Sequence, residues 1–185
     1  MATKKKANSP SWVDLNARLA EFDRAGLIGL LQDLYTASKD NQTFLHARFA
    51  LGEDVLKPYK ISIDRWLWPD VFKNQDISVA KAKKAIADYK KAIGQAEGLV
   101  ELMVFYCERG AGFSKDVGLQ DESYFNSLVR MFEASLKSIQ ALPFTQQAEY
   151  LNRLNDVRRI SHNFGYGVGD DMDWLWKKAG LEIRK

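Results

Sequence analysis

The chain has 185 residues, one cysteine and a net charge of +3, and Lys4, Lys5 and Lys6 account for that charge by themselves. With 46% apolar and 12% aromatic residues it has material for a core that removes about 70% of the unfolded surface from water, so folding needs neither disulfides nor a metal. A near-neutral body speaks against nucleic-acid binding by bulk charge, no run of 18 apolar residues marks a membrane span, and Met1 to Lys6 lacks the apolar segment of a secretory leader, so a cytoplasmic protein is expected.

Residues 1–10 read as a disordered basic arm and 11–185 as a single helical domain. Ser11 is placed to cap a first helix carrying Trp12, Leu15 and Leu19. Asp23 is placed to cap a second, with Leu27, Leu30, Leu31, Leu34 and Tyr35 on one face. Asn41 is the expected cap of a third helix bearing Phe44, Leu45, Phe49 and Leu51. A fourth carries Val55, Leu56, Tyr59, Ile63, Trp66 and Leu67, with Pro58 in its first turn and Pro69 as its boundary. After a loop at 73–76, Val79, Ala82, Ile86, Tyr89 and Ile93 recur at intervals of 3 and 4, with lysines at other positions and Gly94 as the stop. Residues 99–107 are apolar nearly all round, which marks the most buried helix, and Gly110 and Gly112 are expected to end it. Asp121 caps a helix with the stripe Phe125, Leu128, Val129, Phe132, Leu136 and Ile139. Pro143 closes that helix and Thr145 opens another, carrying Leu151, Leu154, Val157, Ile160 and Phe164. A glycine-rich turn then leads to a short helix over 170–179. The fold class expected is all-α, a compact array of about eight or nine helices paired as antiparallel hairpins.

The most unusual stretch is 158–171, where Arg158, Arg159, His162, Tyr166, Asp170 and Asp171 surround three glycines at a helix end. It reads as a candidate binding loop, because glycine lets backbone approach a ligand closely. The plainer alternative makes Gly165 a helix C-cap, and Asp170 or Asp171 the cap of the last helix. Gly165-x-Gly167-x-Gly169 has neither the spacing nor the preceding strand of a dinucleotide site. Arg158 and His162 resemble the Arg-x(4–6)-His motif of helical HEPN ribonucleases, with a spacer of three residues instead of four to six. Two histidines and one cysteine leave no transition-metal set, and no cofactor motif is present. His46 reads as a satisfied or half-exposed histidine, and Cys107 as a buried thiol.

Trp68 and Phe72, in the cluster 66–72, and Trp174 and Trp176, near the C-terminus, are the candidate interaction aromatics, with Trp66 expected inside and Trp68 outside. The lysines between Lys81 and Lys91 read as a solvated helix face or a weak phosphate contact.

The blocks 79–91, 99–108, 121–133 and 165–172 together resemble a family of small helical bacterial proteins with no assigned activity, over residues 25–175. The resemblance implies an all-α fold and a bacterial cytoplasmic origin and carries over no catalytic residue. The function expected is a non-enzymatic protein-interaction or scaffold module that binds a protein partner or itself. The alternative is a nucleic-acid-associated, ribonuclease-like protein using the basic residues and the 158–171 loop. No catalytic residue, cofactor or metal is assigned.

Overall fold

A computed structural model describes residues 9–182. Most of the basic arm over 1–10 therefore lies outside the described residues. Among them the chain forms nine α-helices, one 3-10 turn and no strand, an all-α fold. It divides into two compact units, 1–45 and 46–185.

The first unit holds α1 (Trp12–Leu19), α2 (Arg24–Ala37) and most of α3 (Lys39–Arg48). Ser11 and Asp14 form a reciprocal capping box at α1, and the Asp23 carboxylate accepts from the Gly26 N–H at 2.7 Å to start α2. Asn41 does not cap α3. The Ser38 hydroxyl accepts from the Asp40 and Asn41 N–H groups, and the helix starts three residues earlier than expected. Asn41 instead donates its side-chain amide to the Leu34 carbonyl at 2.6 Å, near the end of α2. Neither α1 nor α2 has a buried residue.

The second unit holds α4 (Lys57–Leu67), the 3-10 turn Val71–Lys73, α5 (Val79–Ala92), α6 (Ala96–Val117), α7 (Glu122–Gln140), α8 (Phe144–Ser161) and α9 (Val168–Lys178). α6 is the hub. It packs against α4, α5, α7 and α8, and α9 lies on α7 and α8. Its central position follows from its sequence, since Val100, Leu102, Met103, Val104, Tyr106, Cys107, Ala111 and Phe113 point inward from almost every side.

The expectation that Gly110 and Gly112 end this helix fails. α6 runs through both to Val117 and stops at Gly118, which takes the left-handed conformation (φ 63°). The glycines are there for close approach. A Cβ on Gly112 would stand 2.5 Å from the Trp68 ring, and one on Gly110 would stand 3.3 Å from Leu128. Each glycine costs about 1 kcal/mol of helix propensity, offset by the aromatic and leucine packing it permits.

Polar contacts tie the hub to its neighbours. Arg153 of α8 forks onto Glu108 (2.7 and 2.8 Å) and Glu101, and Lys60 of α4 reaches Glu101 at 2.6 Å. Burial alone would raise the Glu101 carboxyl, but Arg153 and Lys60 together hold it below the ordinary carboxylate range. Cys107 is fully buried beside Ser135, and burial pushes its thiol up to about 12. The thiol is therefore expected to be inert to an aromatic disulfide reagent at pH 8 in the folded protein and to react fully in guanidinium chloride. Rapid reaction of the native chain would contradict this burial.

Of two boundaries near the C-terminus, Pro143 separates α7 from α8 within one residue of expectation and the start of α9 differs. Pro143 precedes α8 directly as its N-cap, and helix α9 begins at Val168 behind Gly167 (φ 71°), with no side-chain cap. Asp170 and Asp171 are therefore not caps. They sit in the first turn of α9, where their charges complement the helix dipole. Gly165 is likewise not the C-cap of α8, a position His162 takes.

Candidate functional site

The 158–171 stretch is drawn together by a side chain that sequence reading missed, Asp173. Arg158 is 4% exposed at the end of α8 and donates to Asp173 from Nη1 and to Asn155 Oδ1 from Nε and Nη2, at 3.1 and 2.9 Å. Its guanidinium also lies 5.7 Å from the Trp176 ring. His162 Nε2 stands 3.3 Å from the same Asp173 oxygen. Burial works to raise the Asp173 carboxyl, but the hydrogen bonds and charges of Arg158 and His162 outweigh it, so the group stays ionised below the usual carboxylate range.

The other ring nitrogen of His162 faces the backbone. A Cβ on Gly169 would stand 2.6 Å from His162 Nδ1 and 2.7 Å from its Cα, so glycine is what lets α9 start against the end of α8. The nearest hydroxyl in sequence, on Ser161, is buried and donates to the Val157 carbonyl at 2.8 Å. The arrangement therefore holds an Asp–Arg–His cluster without an activated nucleophile, and its chemistry is that of a helix-to-helix clamp. Arg159, Tyr166, Asp170 and Asp171 are exposed around it. Tyr166 takes a left-handed backbone (φ 60°), which costs a non-glycine residue about 1 kcal/mol. Its ring is held 6.0 Å from that of Phe125.

The four aromatics separate. Trp176 is 6% exposed, packs near Phe132 and donates from Nε1 to the Glu182 carbonyl, so it is a core residue and not a surface contact. Trp174, from the opposite face of α9, is 59% exposed under the Lys178 ammonium. The expected division of Trp66 inside and Trp68 outside is also corrected, because both are half-buried. Arg65 and Lys81 lie over Trp66, and Arg109 lies 4.0 Å over Trp68, which meets Phe113 edge-on. Phe72 is 95% exposed. It sits in the 3-10 turn that Asp70 caps by accepting from the Phe72 N–H at 3.1 Å, braced by a 3.1 Å Asp70–Lys73 ion pair and by Asn74 in the left-handed region. Beside it runs a groove of about 400 Å³ lined by Trp68, Val71, Phe113 and Val117.

The lysine helix α5 packs on α4 and α6, whereas α8 packs on α6, α7 and α9, and Arg158 is already committed to Asp173. No group of three or more potential metal-binding side chains stands together, and no helix is long and apolar enough to cross a membrane, among the described residues. Comparison with known proteins gives no match to a family model, to a curated protein or to a solved structure.

Proposed function

We propose that this chain is a helical protein-interaction module of a bacterial cytoplasm, with Phe72 as the anchor of its contact surface. The observation that carries the reading is the presentation of Phe72. A large aromatic ring stands 95% exposed on a turn fixed by a cap, an ion pair and a left-handed residue, beside an apolar groove. A ring left in water gains little for folding. The turn beneath it is already fixed, so docking orders only the side chain, which suits the aromatic anchor of an interface. Trp174, exposed on α9, is a second ring of the same kind. The first unit supports the reading, because α2 carries an apolar face yet buries none of its own side chains, and a helix of 14 residues is marginal unless that face is covered. The lone buried cysteine fits a reducing compartment.

The test is capture from bacterial lysate at low and high salt with the wild-type chain and Phe72→Ala as paired baits. A stoichiometric protein held by the wild type through high salt and lost by Phe72→Ala is expected, as is an unchanged melting temperature for that variant. Trp68→Ala separates packing from contact. Trp68 fills the space over Gly112 and stacks under Arg109, so its removal is expected to lower stability by about 2 kcal/mol. Equal capture by wild type and Phe72→Ala, or capture of nucleic acid alone that washes off as salt rises, would remove the reading.

A further inference from the structure

α5 and α7 both pack on α6, and between them lies a polar recess of about 590 Å³. Lys83 enters it from α5. Ser123, Asn126, Ser127 and Arg130 enter it from α7, at the 3, 4 and 7 residue offsets that put them on one strip of a helix. The opposite stripe of α7 carries Phe125, Leu128 and Phe132 into the core, so the strip facing the recess is polar by the helix's own period.

Lys83 and Arg130 both line this recess, and neither makes an ion pair with a described residue, although Lys60, Lys84, Arg109, Arg153 and Arg158 of the same unit all do. Burial first, and the Arg130 charge second, hold the Lys83 ammonium below the ordinary lysine range, and no carboxylate opposes that trend. Two cations that share one recess repel one another, and Lys83 is half-buried there. An anion between them would turn the repulsion into two charge-assisted contacts. The carboxylates of Asp121 and Glu122 stand at the N-terminal end of α7 in the same recess. They repel negative charge at that end and accept hydrogen bonds from hydroxyl groups. The volume lies within the range of small-molecule sites and is far larger than a lone phosphate ion requires.

We propose that the recess between α5 and α7 binds a small phosphorylated, hydroxyl-bearing molecule, with its phosphate between Lys83 and Arg130 and its hydroxyls toward Asp121 and Glu122. Ser123 and Asn126 supply neutral donors and acceptors along the middle. The site is independent of the Phe72 surface and stands or falls separately from it.

Calorimetric titration of the full chain with ribose 5-phosphate, inorganic phosphate and ribose tests the proposal. Ribose 5-phosphate is expected to bind, inorganic phosphate to bind about tenfold more weakly, and ribose to give no heat. Lys83→Met and Arg130→Gln are each expected to weaken ribose 5-phosphate about tenfold or more, the scale of a lost hydrogen bond to a charged group. Both side chains are at least partly exposed, and removing one of two repelling charges should leave the ligand-free melting temperature unchanged or higher, which shows that the variants fold. An exposed lysine on the same helix, tested as Lys90→Met, should leave binding intact. Absence of heat with both phosphate compounds, equal affinity of wild type and Lys83→Met, or tighter binding of a single-stranded oligonucleotide that Lys90→Met weakens as much as Lys83→Met would each overturn the assignment.

Discussion

Asp173→Ala is expected to cost about 3 kcal/mol of stability, because it leaves the Arg158 guanidinium buried without its counter-charge. Arg158 is enclosed by α8, α9 and the Trp176 ring, and Asn155 offers it only a neutral acceptor. The loss is thus the penalty of an unpaired buried charge more than the net worth of the pair. Two further variants separate these. Asp173→Asn keeps the shape and an acceptor oxygen and should cost less. A double change of Arg158→Met with Asp173→Leu removes both charges and should recover most of the loss. The pH dependence has a definite sign. The folded Asp173 carboxyl lies below its ordinary value of 3.8, so its contribution is present above about pH 4 and is lost as the pH falls through the lowered folded value. Urea melts of wild type and Asp173→Ala should therefore converge toward low pH and differ most near neutrality. A near-neutral Asp173→Ala would mean that the clamp is not structural and would return Arg158 and His162 to consideration as a ligand site.

The helices were largely legible because their signals are local. Ser11 and Asp23 cap the helices that follow them, and the alternation of 3 and 4 from Val79 to Ile93 states the inward face of α5. Several of the misread positions depend on partners on other helices. Gly110 and Gly112 look like punctuation until the Trp68 and Leu128 side chains that occupy their missing Cβ space are known. Arg158 beside three glycines looks like a ligand contact, because its partner Asp173 lies on the next helix. Trp176 was readable in principle. Met172, Leu175 and Trp176 fall on one helix face at offsets of 3 and 4, and Trp174, two residues from Trp176, must point away. The sharing of one recess by Lys83 and Arg130 had no sequence signal at all, since it arises only from two helices flanking a third.

Phe125→Ala is expected to be the most damaging single change among the loop contacts, at about 4 kcal/mol, the usual scale for truncating a fully buried aromatic. Phe125 is 1% exposed on α7 and serves two structures at once. Its ring meets Tyr124 edge-on within the core. On its other side it stacks on Phe164 at 5.5 Å with planes 10° apart and touches Tyr166 at 6.0 Å. One ring thus supports both aromatics of the α8–α9 connection, including the left-handed Tyr166 that has a backbone reason to relax. Removing that ring deletes burial and also releases the strain it holds in place, so the loop should open before the domain melts. Thermal melting and amide exchange distinguish the two effects. A melting temperature lower by about 10 °C should accompany faster exchange at 163–167 under conditions where α6 remains protected. If exchange in the connection stayed as slow as in the wild type, Gly169 packed against His162 and the Arg158–Asp173 clamp would be sufficient to hold the loop, and Phe125 would be a core residue only.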